Sequence, residues 1–170
     1  MIRTPADALE IFLQPGEFYF GEDKTRIRTL LGSCVAITLW HPRLHLGGMC
    51  HYMLPHRLHG RKNESPDGRY ADEALEMFAR EMHRSNTRAA DYQAKIFGGG
   101  RMFSTPAKAR CHVDISERNV QIGRKLVAKA GFSLISEDLG GNGHRNVVLD
   151  LWSGDVWVKR AQTVHPIDGV

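Results

Sequence analysis

The stretch TLLGSCVAITLW, residues 29–40, limits the possible folds more than any other part of this chain. Its last six residues, Val35–Trp40, are mostly β-branched, aliphatic or aromatic, and Gly32-Ser33 and His41-Pro42 bound them. A run of that length and make-up predicts a buried strand entered through a tight turn. The next segment, HPRLHLGG, is polar and broken by Pro42, Gly47 and Gly48, after which MCHYML reads as a second strand. Together they predict a hairpin with Cys34 on one strand and His51 on the next.

Other segments follow the same logic. Phe18–Phe20 is a short aromatic run consistent with a strand, and residues 56–69, HRLHGRKNESPDGR, predict an exposed, mobile loop. Between Tyr70 and Arg84 the apolar residues Ala71, Ala74, Leu75, Phe78 and Met82 recur at helical spacing, with acidic residues early and basic ones late. AKIFGGGRMF gives a strand ending in three glycines, and SERNVQIGRKLVAKAG gives a second helix that stops near Gly131. Asn119 is expected to cap the start of that helix. FSLISEDLGG, RNVVLDLW and DVWVKR complete the set as strands, the last two joined through Ser153-Gly154. Strand pairs around two principal helices, with no repeat or linker, predict one domain over residues 1–170. Its class is α+β, a layered sandwich of mainly antiparallel strands.

Composition excludes several function classes. No apolar run reaches the ~18 residues of a membrane span, and MIRTPADALEIFLQPG places acidic residues and a proline where a signal peptide would be apolar. A cytoplasmic location is therefore expected. The formal charge of +4, from 23 basic and 19 acidic residues, is too mild an excess to imply nucleic acid. Three cysteines, Cys34, Cys50 and Cys111, cannot all pair, so each is core, ligand or nucleophile.

Cys34 is open to two readings, a small core hydrophobe or a nucleophile held where turn meets strand. The Gly32-Ser33 turn favours chemistry, because backbone amides left free by such a turn are the donors an oxyanion needs. His51, seventeen residues on (51 − 34), sits where a hairpin can bring it to the thiol, and imidazole can then take the thiol proton. Thr29 is either a β-favouring residue or a hydroxyl supporting that pair. Cys50-His51, Cys111-His112, His41 and His45 supply metal-ligand types, yet without the CxxC or HxxxH spacing of a closed site. The glycines at 98–100 and 140–143 lack the spacing of a nucleotide-binding loop and predict tight turns or close backbone approach.

LLGSCVAITLW, LGGMCHYMLP, RYADEALEMF, KIFGGGRMF, ERNV and EDLGGNGHRNVVLDLWSGDVWVKR together resemble the CheD family, chemoreceptor glutamine deamidases of bacterial chemotaxis. The resemblance spans about residues 18–160. It implies a fold like the catalytic domain of deamidating bacterial toxins, with no cofactor and no metal. By the same resemblance Cys34 is the nucleophile, His51 the general base and then acid, and Thr29 the third member of the triad. Gly32 and Ser33 shape the oxyanion turn. Implied partners are the cytoplasmic domains of methyl-accepting chemoreceptors and a CheC-type phosphatase adaptor. The loops at residues 41–48 and 56–69 are expected as rims of an open site, where basic residues including Arg43, Arg57, Arg61 and Lys62 either meet acidic patches on a receptor or are simply solvated. Cys50, one residue from His51 on a strand, should face the opposite way as inert core. The alternative is a receptor- or adaptor-docking module with little catalytic activity.

Overall fold

The structure, a computed structural model, describes residues 3–102 and 114–161. In chain order the elements are β1 (Leu9–Leu13), β2 (Phe18–Glu22), β3 (Thr25–Leu31), β4 (Val35–His41), β5 (Leu46–Tyr52) and α1 (Ala71–Arg84). A 3-10 turn at Ala89–Asp91 precedes β6 (Gln93–Gly98), α2 (Ile115–Ala130), β7 (Ser133–Leu139), β8 (Arg145–Asp150) and β9 (Val156–Arg160). The strands form two sheets, one of four in the order β1-β3-β8-β9 and one of five in the order β2-β5-β4-β6-β7. Pairings are antiparallel except β1 with β3 and β6 with β7. The expected α+β sandwich is what forms.

Layering follows from alternation along the central strands. In β4, Val35, Ile37 and Leu39 pack against the helices with Ile96, Phe78 and Tyr52. Ala36 turns the other way and meets Met49, Phe97, Leu31 and Leu149 between the two sheets. A strand covered on both faces has no need of a polar side, which is why VAITLW reads as a nearly continuous apolar run. Each fully buried Phe, Leu or Ile in these layers contributes ~1.5–3 kcal/mol relative to exposure.

Both helices have physical reasons for their limits. α1 buries Ala71, Ala74, Leu75, Phe78 and Met82, carries Asp72 and Glu73 in its first turn, and has His83 and Arg84 in its last. α2 is capped by Asp114, whose side chain accepts from the Ser116 amide, and it ends at Gly131 with φ of 82°. The expected cap, Asn119, instead lies inside α2 and is fully buried. A cap must sit at the first turn, and that turn begins at Ile115, so Asn119 falls on the face turned to the sheet.

The hairpin differs from expectation in two details. Gly47 and Gly48 belong to β5 rather than to the connection, and Cys34 lies in the turn just before β4. The 56–69 segment has no helix or strand, and most of it is exposed, but ion pairs pin it. Arg57 forms two hydrogen bonds to the buried Glu73 carboxylate, and Arg61 reaches Glu76. Glu73 also accepts from the Asp67 amide, so α1 holds both arms of the loop.

Candidate active site

His51 is positioned by two sheets at once. His51 is on β5 opposite Ala36 of β4, and both face the space between the sheets. From the other sheet, Thr29 of β3 points into the same space and is buried. Its Oγ1 lies 2.7 Å from His51 Nδ1 and donates to the Leu13 carbonyl of β1 at 2.9 Å. A threonine hydroxyl has one hydrogen, and Leu13 takes it, so Thr29 Oγ1 must accept from His51 Nδ1–H. The imidazole therefore carries its proton on Nδ1 and keeps a lone pair on Nε2. Nε2 is buried and finds no partner among the described residues. The His51 backbone is held as well, with Gly16 donating to its carbonyl at 2.8 Å and its amide donating to the Glu17 carbonyl at 3.1 Å.

Cys34 is diagonal to His51 rather than directly opposite, two residues before Ala36, and packs on the inter-sheet cluster. Diagonal neighbours on an antiparallel pair lie within reach of longer side chains. Burial pushes the Cys34 thiol up, and a Ser33 hydrogen bond partly offsets it. His51 is pushed down to about 4, chiefly by burial, with Glu17 opposing. At neutral pH the resting pair is thus thiol and neutral imidazole.

The turn that carries Cys34 is gripped from one side. Gly100 donates to the Gly32 carbonyl at 2.8 Å, Gly99 to the Cys34 carbonyl at 2.8 Å, and Asn119 Nδ2 to the Ser33 carbonyl at 3.3 Å. Gly98 has φ of 114° and Gly99 of 64°, values that favour glycine, and a Cβ on Gly98 would overlap the Cys34 carbonyl oxygen. The three glycines thus let one backbone approach another at Cys34. Ser33 and Cys34 amides have no backbone acceptor among the described residues. Met102 and His144 flank Gly32 on the open side.

The sequence reading placed Cys34, His51, Thr29, Gly32 and Ser33 in one site; the structure hydrogen-bonds Thr29 to His51 and sets the Gly32–Cys34 turn diagonal to His51, with no hydrogen bond between Cys34 and His51 among the described residues. It missed Leu13, whose carbonyl fixes the Thr29 hydroxyl, and it gave Asn119 the wrong place. The remaining candidates disperse. Cys50 faces the helix side, fully buried, with its thiol pushed up to about 12 by burial. His45 pairs with Asp23 and His41 accepts from the Leu44 amide, while Cys111 and His112 lie outside the described residues. Among the described residues no group of three or more His, Cys, Asp or Glu gathers as a metal site. Arg57 and Arg61 are tied to Glu73 and Glu76, and Arg43, expected on the rim, lies in the β4–β5 connection at the far end of the hairpin from Cys34 and His51, because seven-residue strands separate the two ends; Lys62 is the exposed cation left from the expected set.

Comparison with known proteins decides the family. The family model "CheD chemotactic sensory transduction" matches residues 53–160. The chain is 48% identical over 158 residues to a probable chemoreceptor glutamine deamidase CheD of Pseudomonas syringae pv. tomato, covering 93% of each. This chain belongs to the CheD family. A second relative, probable chemoreceptor glutamine deamidase CheD 3 of Dechloromonas aromatica, is 50% identical over 93% of this chain and 91% of its own length. A CheD of Leptospira interrogans with the same probable activity is 39% identical, covering 95% of this chain and 99% of its own. Among the described residues no helix is long and apolar enough to cross a membrane.

Proposed function

We propose that this CheD hydrolyses glutamine side-chain amides on chemoreceptor cytoplasmic domains to glutamate, through a thioester on Cys34. The observation that carries the reading is the Leu13–Thr29–His51 relay, which leaves buried Nε2 without a partner among the described residues, at a strand position diagonal to Cys34. Only that tautomer can take a proton from Cys34, and Thr29 supports it through one accepted hydrogen bond.

His51 Nε2 takes the Cys34 proton as Sγ bonds to the amide carbon, and the carbonyl electrons move to oxygen. The Ser33 and Cys34 amides, free of backbone acceptors among the described residues, are suited to receive that charge. The tetrahedral adduct collapses as the imidazolium gives its proton to the departing nitrogen, and ammonia leaves. Water, deprotonated by Nε2, then attacks the thioester carbon; collapse expels Sγ, which regains its proton from His51, and glutamate remains on the receptor. Each step uses only this chain's groups and water.

Receptor glutamines project from helices, so the enzyme needs an open approach. Met53, Leu54 and Leu58 follow the His51 strand and are exposed, with Lys62 on the loop beyond them. That mixed rim suits a helical surface with acidic positions. A CheC-type phosphatase that competes for the same rim would regulate access, and inhibition of deamidation by the purified phosphatase would support that partner.

The test is peptide mass spectrometry of a purified receptor cytoplasmic fragment incubated with this protein or with Cys34→Ser. A gain of about 1 Da at discrete glutamines, absent with the variant, supports the thioester route. Equal gain with both removes Cys34 from the chemistry, and no gain with either, on a fragment shown to bind, favours the docking module.

A further inference from the structure

Asn119 is a polar residue on the buried face of a helix, where position alone would call for a hydrophobe. It is fully buried, and its amide nitrogen donates to the Ser33 carbonyl at 3.3 Å and the Met53 carbonyl at 2.8 Å. Its Oδ1 has no partner among the described residues. Both contacts are carbonyl oxygens, which fixes the amide with its NH2 toward them. An acceptor without a partner among the described residues is a cost that neither packing nor helix formation explains. What the side chain does make is two donations, both to backbone carbonyls.

Those two carbonyls bracket the site. Met53 follows the strand of His51, and the Ser33 carbonyl shares its peptide unit with the Cys34 amide. A trans peptide is planar, so its C=O and N–H point in opposite directions. Asn119 draws the Ser33 carbonyl toward α2, and the Cys34 N–H must therefore point away from α2. Gly100, donating to the Gly32 carbonyl, does the same for the Ser33 N–H. The backbone alone secures one of the two amides, and the other depends on a side chain.

We infer that Asn119 is a positioning residue that fixes the direction of the Cys34 amide and so builds the oxyanion-binding half of the site. It touches neither substrate nor thiol. The inference rests on the acyl-transfer reading of Cys34 but not on the identity of the natural substrate. Replacing Asn119 should impair steps that pass through an oxyanion and spare steps that do not.

The experiment compares two reactions at Cys34 in the full chain, each read on the Cys34 peptide by mass spectrometry. Acylation by p-nitrophenyl acetate forms a tetrahedral oxyanion; alkylation by iodoacetamide displaces iodide and forms none. In Asn119→Ala the acylation rate is expected to fall by about 10²-fold, as when one oxyanion donor is lost, while alkylation stays within about threefold of wild type. Receptor deamidation should lose kcat at near-constant KM. Tyr52→Phe is the control, because the Tyr52 hydroxyl donates to the Asn119 main-chain carbonyl and its loss loosens α2 without touching the amide. Asn119→Ser, smaller and with one donor, replaces the alanine variant if that one does not fold, and the same selective loss is expected of it.

Parallel loss of acylation and alkylation, no loss of either, or the same selective loss in Tyr52→Phe would each overturn the inference. A wild-type protein that acylates normally yet leaves every receptor glutamine unchanged would count against the substrate reading alone.

Discussion

The two faces of the five-stranded sheet are built from the same strands and do opposite things. On the helix side, Cys50 sits among Val35, Ile37, Tyr52 and Phe78, a dry layer with no polar side chain near the thiol in need of a partner. One residue along β5 and on the other side, His51 meets Thr29 from the second sheet. Both faces are buried, so burial does not distinguish them. What distinguishes them is that the inter-sheet face ends at an open turn carrying half-exposed Cys34, whereas the helix face is closed over by α1 and α2. On the proposed mechanism reactivity follows from access and a directed lone pair, and a thiol without them is filling.

The sharpest break in that contrast is Cys34→Ala. Turnover of receptor glutamines should fall by about 10⁶-fold, to the limit of an ammonia-release assay, while the fold persists by circular dichroism. Next comes Thr29→Val, which keeps the shape and removes the acceptor that selects the Nδ1–H tautomer. Deamidation is expected to drop on the order of 10²-fold, with the loss in kcat when initial rates are followed across substrate concentration.

Acid tests the same pair. With His51 near 4, the acid limb of kcat/KM should fall at about pH 4, not near the ordinary imidazole value of 6.5. Stability moves in step. The unfolded chain takes up this proton as pH drops below 6.5 and the native state refuses it until about 4, so the contribution is fully present above 6.5 and lost between those values. It amounts to on the order of 3 kcal/mol. Urea unfolding of wild type and His51→Gln across that range should show the wild type losing more stability as pH falls; parallel curves would place the His51 titration elsewhere.

The smallest effect belongs to the other face. Cys50→Ala should leave deamidation within about threefold of wild type while lowering stability by about 1 kcal/mol through lost packing. In a timed alkylation of the native protein Cys34 should react and Cys50 should not, until denaturant exposes both.

Local signals explain what was legible. The β4–β5 hairpin, α1 and the Gly131 stop each announce themselves within a few residues, through a β-branched run, a 3.6-residue apolar stripe and a glycine at positive φ. Cys34, His51 and Thr29 were legible as residue types beside one turn, and the family resemblance supplied their roles. What lay hidden needed contacts between distant parts of the chain. The pairing of β3 with β8 joins Thr29 to Val147, and nothing near either residue specifies the other. LEIFL carries no residue of a chemical type that draws notice, and its value as β1 lies in one carbonyl. Asn119 misled because a polar residue early in a helix resembles a cap; only the Ser33 and Met53 carbonyls, brought in from other elements, show why it is polar.

The parallel edge strand β1 gives the protein a weak hinge in its chemistry. Hydrogen-bonded to β3 alone and largely exposed, it belongs to the part of the molecule that opens first under mild denaturation. When it peels away the Leu13 carbonyl goes with it, the Thr29 hydroxyl is released, and nothing then dictates which nitrogen of His51 keeps the proton. The enzyme should fall silent at denaturant levels where the sandwich is still assembled, its catalytic lifetime set by five residues at a margin and not by the core.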